Sequence, residues 1–337
     1  MAISARASTA LAAVLAAGVL WALLATSPGV PRAAAPDPGT TVAGPAAQAG
    51  PGVDCPLTTR GLPTCGALVG ATHGANTPPT SLEAAAGRPL GIRRTFYTPG
   101  QVARAVRTAR EDLRGGRLPW ISFKLPTDWA AMAAGDGDPW ARRVARRLAR
   151  LPGPVWVAFH HEPEGDGDIQ DWRRMQERLA PLVRGLADNV GFTVVLTGWN
   201  QMYGEEKYSL ERVWPRDVTI DLAGFDVYND VGVTRGGRTE LEWPDLGAEY
   251  FAPIAAWAAA HDVAWGLAET GITDTAAEVE PRWIQETYAD LVHYGGVAFT
   301  YFDSYLNSIG SWPLETRTKQ EAFRETLLSS PRAWWVR

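Results

Sequence analysis

The sequence predicts a parallel (β/α)8 barrel, a TIM barrel. Three observations carry that expectation. Eight short apolar runs recur along the chain, segments with helical periodicity fall between them, and polar side chains gather where the runs end. The 337 residues suit one barrel of ~250 residues preceded by an exported leader.

The runs are Gly66–His73, Leu90–Tyr97, Pro119–Leu125, Val155–His161, Phe192–Asn200, Ile220–Asn229, Ala264–Thr270 and Gly296–Asp303. Most are rich in β-branched or aromatic residues, as strands buried on both faces should be. The second holds two arginines, Arg93 and Arg94, and alternation leaves open which of them faces inward. Helical patterns lie at Gln101–Leu113, Trp140–Leu151, Asp171–Leu186, Leu246–His261, Arg282–His293 and Lys319–Leu328. Asp138 before Pro139 reads as an N-cap ahead of a proline at the first helical position, and Asp168 as the cap of the helix bearing Trp172. An open doubly wound sheet is the rival, but Gly70-Ala71-Thr72-His73-Gly74 lacks the phosphate-loop spacing such sheets often carry after their first strand.

Ahead of the barrel, residues 1–35 combine Arg6 with an uncharged run rich in Ala, Leu and Val from Ala7 to Pro31. This reads as a signal peptide, with Ala33-Ala34-Ala35 as the cleavage site, or as an uncleaved membrane anchor. The protein is therefore expected to be secreted, or extracellular and tethered to the membrane by that segment. Residues 36–53, mostly Pro, Gly, Ala and Thr, read as a flexible linker, and 54–337 as the barrel domain. Cys55 and Cys65 are the only two cysteines, and an oxidising compartment would join them in a disulfide.

The net charge of -5, without a basic stripe flanked by aromatics, gives no electrostatic basis for binding nucleic acid. The 15 tryptophans are either sugar platforms or core. The calcium-loop pattern is absent from Glu164–Ile169, no His-x-His stands at the first strand, and no Gly-x-Ser-x-Gly elbow occurs. No metal or cofactor is expected. Asp166 reads as turn chemistry and Asp168 as a cap. A monomer is expected.

A barrel places its active site at the C-terminal ends of its strands. Two carboxylates stand there on strands four and seven, Glu162 and Glu269. Those strands lie nearly opposite each other across a small mouth, and hydrolysis of a glycosidic bond with retention needs two facing carboxyls ~5–5.5 Å apart. Glu162 is then the acid/base and Glu269 the nucleophile, its anion stabilised by Tyr228, Arg93 or Arg94. The residues expected to line the cleft are His161, Tyr228, Trp199, Asn200, Asp226, Arg94, His73 and Phe302, with His160 in a supporting role. Five aromatics of the following loops, Trp129, Tyr203, Trp243, Tyr305 and Trp312, are each a sugar platform or a loop anchor, with roughly two or three of them expected to be platforms.

The pair His161-Glu162, together with Glu269 in Ala268-Glu269-Thr270-Gly271, resembles glycoside hydrolase family 26 over roughly His73 to Leu328. That family belongs to a clan of retaining barrels with the acid/base on strand four and the nucleophile on strand seven. The resemblance implies an endo-β-glycanase, with β-1,4-mannan as the first substrate to consider. It also implies that His161 contacts the sugar beside the acid and that Tyr228, in Asp226-Val227-Tyr228, hydrogen-bonds the nucleophile. Where the family often has a Trp at the end of strand eight, this chain has Thr300-Tyr301-Phe302-Asp303, so Phe302 is the expected aromatic floor. Two alternatives are a carbohydrate-binding barrel without turnover and a hydrolase of the producer's own envelope glycan.

Overall fold

The computed structural model describes residues 52–335. The signal or anchor segment, 1–35, lies outside the described residues, as does nearly all of the 36–53 linker. Among the described residues no helix is long and apolar enough to cross a membrane.

Eight parallel strands close into a barrel in the order β7-β8-β1-β2-β3-β4-β5-β6. They are β1 Leu68–His73, β2 Ile92–Tyr97, β3 Leu118–Phe123, β4 Val155–Phe159, β5 Val190–Leu196, β6 Leu222–Asp226, β7 Ala264–Thr270 and β8 Ala298–Asp303. This is the (β/α)8 architecture the sequence predicts. The principal outer helices are Val102–Arg114, Asp138–Leu148, Ile169–Arg184, Ala252–Ala260, Trp283–His293 and Arg317–Ser329.

Several boundaries differ from the sequence reading. β4 stops at Phe159 rather than His161, β5 at Leu196 rather than Asn200, and β6 at Asp226 rather than Asn229. Past β4 the chain turns with left-handed backbone at His160, and past β5 it enters a short helix, Trp199–Tyr203. Asp168 caps its helix by accepting from the Gln170 N–H. Asp138 does not cap: it is itself the first helical residue, and its carboxylate pairs with Arg178 at 2.8 Å. An interhelical partner has taken the side chain that the Asp-Pro pattern assigned to the backbone.

The bore is filled by Trp120 and Trp156, fully buried and packed edge to face at 5.0 Å. Gly224 makes room for them, since a Cβ there would lie 2.8 Å from the Trp120 ring. Below stand Leu68, Ile92, Leu118, Leu222 and Ala298, near the starts of their strands, in one cluster with Cys55. Tryptophan is therefore mostly core: among the described residues only Trp199, Trp243 and Trp334 are exposed.

Cys55 and Cys65 form a disulfide. Their loop follows a short strand, Asp54–Pro56, that pairs in parallel with Arg332–Trp334 at the far end of the chain. With Cys55 buried against the strand starts, this pairing closes the end of the barrel opposite the mouth. Reduction is expected to lower stability by roughly 2–3 kcal/mol, because the closed loop is short. Denaturant titration with and without reductant checks this.

Candidate active site

β2 resolves the two arginines. Arg93 points outward, donating to Asp112 at 3.0 Å and to the carbonyls of Asn76 and Thr77. Arg94 points into the mouth and is wholly buried. It lies between the rings of Phe96, at 4.8 Å, and Trp120, at 5.2 Å. It donates to Ser122 Oγ at 2.7 Å and brings Nη2 to 3.7 Å from Glu269 Oε1. A guanidinium held this way places fixed positive charge beneath a carboxylate.

Glu269, near the end of β7, is 6% exposed. Its Oε2 accepts from the Tyr228 hydroxyl at 2.8 Å. Tyr228 lies two residues past the end of β6 and is set by its neighbours, Trp312 at 4.9 Å and Phe302 at 6.2 Å between ring centres. Gly271 lies against the same ring, and a Cβ there would come within 3.2 Å of it. Burial and the neighbouring Glu162 push Glu269 up to about 8, against the downward pull of Arg94 and the Tyr228 hydroxyl.

Glu162 stands across the mouth, beyond a sharp turn at the end of β4. His160 and Glu162 both adopt left-handed backbone, φ 54° and 48°, uncommon for such residues. Each N–H still reaches a neighbouring strand: His160 bonds to the Phe123 carbonyl at 2.9 Å and Glu162 to that of Val195 at 3.0 Å. The turn thus delivers Glu162 to the mouth without orphaning these N–H groups. Burial raises its carboxyl above the ordinary range. Beside it lies Asp226, the last residue of β6 and the register partner of Glu269. Both Asp226 oxygens are buried with no donor. Burial, with the charges of Glu269 and Glu162, pushes Asp226 well up. Three carboxyls thus share one buried cation, Arg94, and the site retains protons to a higher pH than isolated carboxyls would.

His161 faces this cluster, its ring 5.2 Å from that of Phe96. Burial and Arg94 hold it well below the ordinary range, so it is a neutral imidazole near pH 7. His73, at the end of β1, is held by Asp303, the last residue of β8, at 2.5 Å. Asp303 also accepts from the Leu314 N–H.

Three sequence expectations need correction in place or environment, those for Trp199 with Asn200, for Phe302 and for Asp166. Trp199 and Asn200 are not on a strand but in a short helix, Trp199–Tyr203, after β5. Trp199 is 55% exposed, whereas Asn200 folds back to donate to Thr197 Oγ1 at 3.1 Å. Phe302 is 7% exposed, packed edge to face on Tyr228, and so does not present an open floor. Of the five rim aromatics, Tyr203, Trp243 and Tyr305 are exposed, while Trp129 and Trp312 are buried. The Asp166 carboxylate accepts from His160 Nε2 at 2.9 Å, more than turn chemistry alone.

Sequence reasoning missed Glu164. Its Oε1 accepts from Gln201 Nε2 at 2.6 Å and from the Thr197 N–H at 3.3 Å, and burial pushes it to about 7. Between the ordinary 4.5 and about 7 the folded chain therefore binds more proton than the unfolded chain. Stability contributed by this group is complete below that window and falls as pH rises through it. Glu164→Gln is expected to flatten this part of the stability–pH curve, as thermal melts from pH 4 to 8 will read. Among the described residues no three His, Cys, Asp or Glu side chains converge as a metal-binding group.

The barrel, with carboxylates at the ends of β4 and β7, has the fold of glycoside hydrolase barrels. The chain is similar to a GH26 β-mannanase from Bacteroides ovatus, with TM-score 0.57 and 16% identity over 77% of this chain and 88% of that one. It is similar to Thermotoga maritima Cel5A in complex with mannotriose, with TM-score 0.57 and 12% identity over 82% and 97%. It is also similar to the exo-β-1,4-mannosidase Op5Man5 from an Opitutaceae bacterium, with TM-score 0.57 and 12% identity over 80% of this chain and 60% of that one. No protein-family model and no curated protein sequence matches the chain.

Proposed function

We propose that this protein is a retaining endo-β-glycanase, with β-1,4-mannan the first polymer to test. The observation that carries this reading is the pair of carboxyls, Glu162 just beyond the end of β4 and Glu269 on β7, two strands nearly opposite each other in one closed barrel. The two differ in their donors. Glu269 has the Tyr228 hydroxyl and Arg94 to stabilise its anion, as a nucleophile needs. Burial raises the Glu162 carboxyl, which favours its keeping the proton it donates. Glu269 attacks the anomeric carbon while Glu162 protonates the departing oxygen. Water, deprotonated by Glu162, then releases the sugar from Glu269. His161 and Asp226 would hold the sugar between them, and Trp199, Tyr203, Trp243 and Tyr305 offer exposed rings along the rim. The mannanase and mannosidase among the similar structures support trying mannan first.

Reducing-end release from a panel of mannan, glucan and xylan tests the reading, with Glu269→Ala as the control. Release from none of these polymers would overturn it. Tyr228→Phe is expected to lower kcat by roughly 10–100-fold, since one donor to the nucleophile is lost. Because that hydroxyl pulls Glu269 down, the acidic limb of the pH–rate profile should move to higher pH in this variant.

A further inference from the structure

On two neighbouring outer helices the face turned to solvent is almost purely cationic. Helix Val102–Arg114 carries Arg104, Arg107, Arg110 and Arg114 at steps of three and four. Helix Asp138–Leu148 carries Arg142, Arg143, Arg146 and Arg147, with Arg150 just beyond it. Ala105, Ala109 and Leu113 on the first, and Trp140, Val144 and Leu148 on the second, are buried against the barrel, so helical periodicity turns the arginines outward. Arg110 is half-buried and the other eight are exposed. The two helices follow β2 and β3, which are adjacent in the barrel, and Trp140 Nε1 donates to the Pro99 carbonyl at 2.9 Å, tying their first turns together.

Missing counter-charge sets this flank apart. The same two helices hold three acids. Asp112 is buried and accepts from Arg93 and Arg117, and Asp138 accepts from Arg178, which leaves Glu111. Among the described residues, only Arg142 of the nine arginines has a carboxylate partner, Asp138 at 3.6 Å. The next helix round, Ile169–Arg184, is also rich in arginine but pairs Arg173 with Glu177, Arg174 with Asp171, Arg178 with Asp138 and Arg184 with Asp221. Crowded like charges repel, and in a chain of net charge -5 nothing in the overall balance calls for them. The flank is complementary to an anionic surface outside the molecule.

The chemistry of that surface follows from the patch. All nine cations are guanidinium groups, which grip phosphate oxygens in pairs. They stand in two rows side by side, a plane rather than a line, and so match an array of headgroups better than one polymer strand. None of the large apolar side chains exposed among the described residues lies on either helix. Contact is therefore made at headgroup level without insertion, and nucleic-acid bases would find no ring to stack on. We propose that this flank docks the protein on a bilayer containing anionic phospholipid. The mouth lies at the end of the barrel and the patch on its side, so docking leaves Glu162 and Glu269 open to solvent. The proposal stands whether or not the hydrolase reading does.

The test uses the full chain with two kinds of vesicle, phosphatidylcholine alone and phosphatidylcholine mixed with about one third phosphatidylglycerol. Any hold of the N-terminal segment on a bilayer is common to both. Phenylglyoxal modifies accessible arginines, and peptide mass spectrometry reads the rate at each. Arg104, Arg107, Arg143 and Arg147 should react at least fivefold more slowly with the anionic vesicles than with the neutral ones. Arg324, exposed on the helix after β8, should react equally with both. Raising the salt to about 0.5 M should remove the protection, because it shortens the reach of the charges. Equal rates at the four arginines would overturn the proposal, as would protection of Arg324 to the same degree. Protection of the four by dissolved poly(glycerol phosphate) but not by anionic vesicles would make the partner a soluble polyanion and overturn the bilayer. Arg104→Gln/Arg107→Gln/Arg143→Gln/Arg147→Gln supplies a second reading, and its melting temperature should match the wild type because all four side chains are exposed. Each basic side chain near an anionic surface is worth about fivefold in partition, so the preference for anionic over neutral vesicles should fall at least tenfold in this variant. A preference unchanged from the wild type would overturn the proposal.

Discussion

Replacing Glu269 with alanine is expected to reduce kcat by roughly 10⁵-fold or more, because no covalent glycosyl intermediate can then form. The fold should survive. Burial and the neighbouring Glu162 raise the Glu269 carboxyl, against the Tyr228 hydroxyl at 2.8 Å and Arg94, so losing the side chain relieves repulsion while giving up one hydrogen bond. Removing a buried carboxyl that repels Asp226 and Glu162 is expected to leave the melting temperature unchanged or raise it. Loss of turnover together with loss of folding would contradict this account. Azide supplied to the variant should attack from the vacated side and give an α-glycosyl azide from a β-linked substrate.

Glu162→Ala should behave differently. Without an acid, a poor leaving group departs slowly, and a loss of roughly 10²–10⁴-fold in kcat is expected on polysaccharide. A substrate with an activated aryl leaving group needs little protonation, so its first step should be far less affected. Its second step lacks a base, and intermediate should accumulate as a burst. Azide should restore turnover and give the β-glycosyl azide, opposite in configuration to the Glu269 product. Equal losses on polysaccharide and aryl glycoside would place the acid elsewhere.

The architecture was legible because a parallel barrel leaves a simple trace: runs buried on both faces, separated by amphipathic helices. β7 matches its sequence range, Ala264–Thr270, while β4 and β6 were drawn too long. Periodicity cannot see where a ladder stops and a chain turns inward, and at β4 the turn needs left-handed backbone at His160 and Glu162. Glu162 and Glu269 stood out because charged residues at the ends of apolar strands demand a reason. The division of labour between Arg93 and Arg94 was not legible. Alternation separates the two faces of a strand without naming them, and it took Asp112 on the outside and Ser122 on the inside to fix the choice.

Residues whose setting depends on distant loops were the least readable. Phe302 matched the expected aromatic at β8, yet Trp312 comes back over the site, and both rings pack on Tyr228. That loop is anchored by buried Lys319, which donates to the Ser311 carbonyl at 2.7 Å and pairs with Asp274. Glu164 owes its burial to Gln201 and Thr197, more than thirty residues on. Neither spacing nor residue type marks such contacts in advance.

The central claim is that Glu269 itself attacks the sugar across the mouth from Glu162. Proton NMR of the first products from a β-linked oligosaccharide, recorded before mutarotation, tests it most directly. Two displacements at the anomeric carbon restore its configuration, so the new reducing end should appear first as the β anomer and drift toward equilibrium. Initial appearance of the α anomer would mean a single displacement by water, and would contradict the assignment of Glu269 as nucleophile.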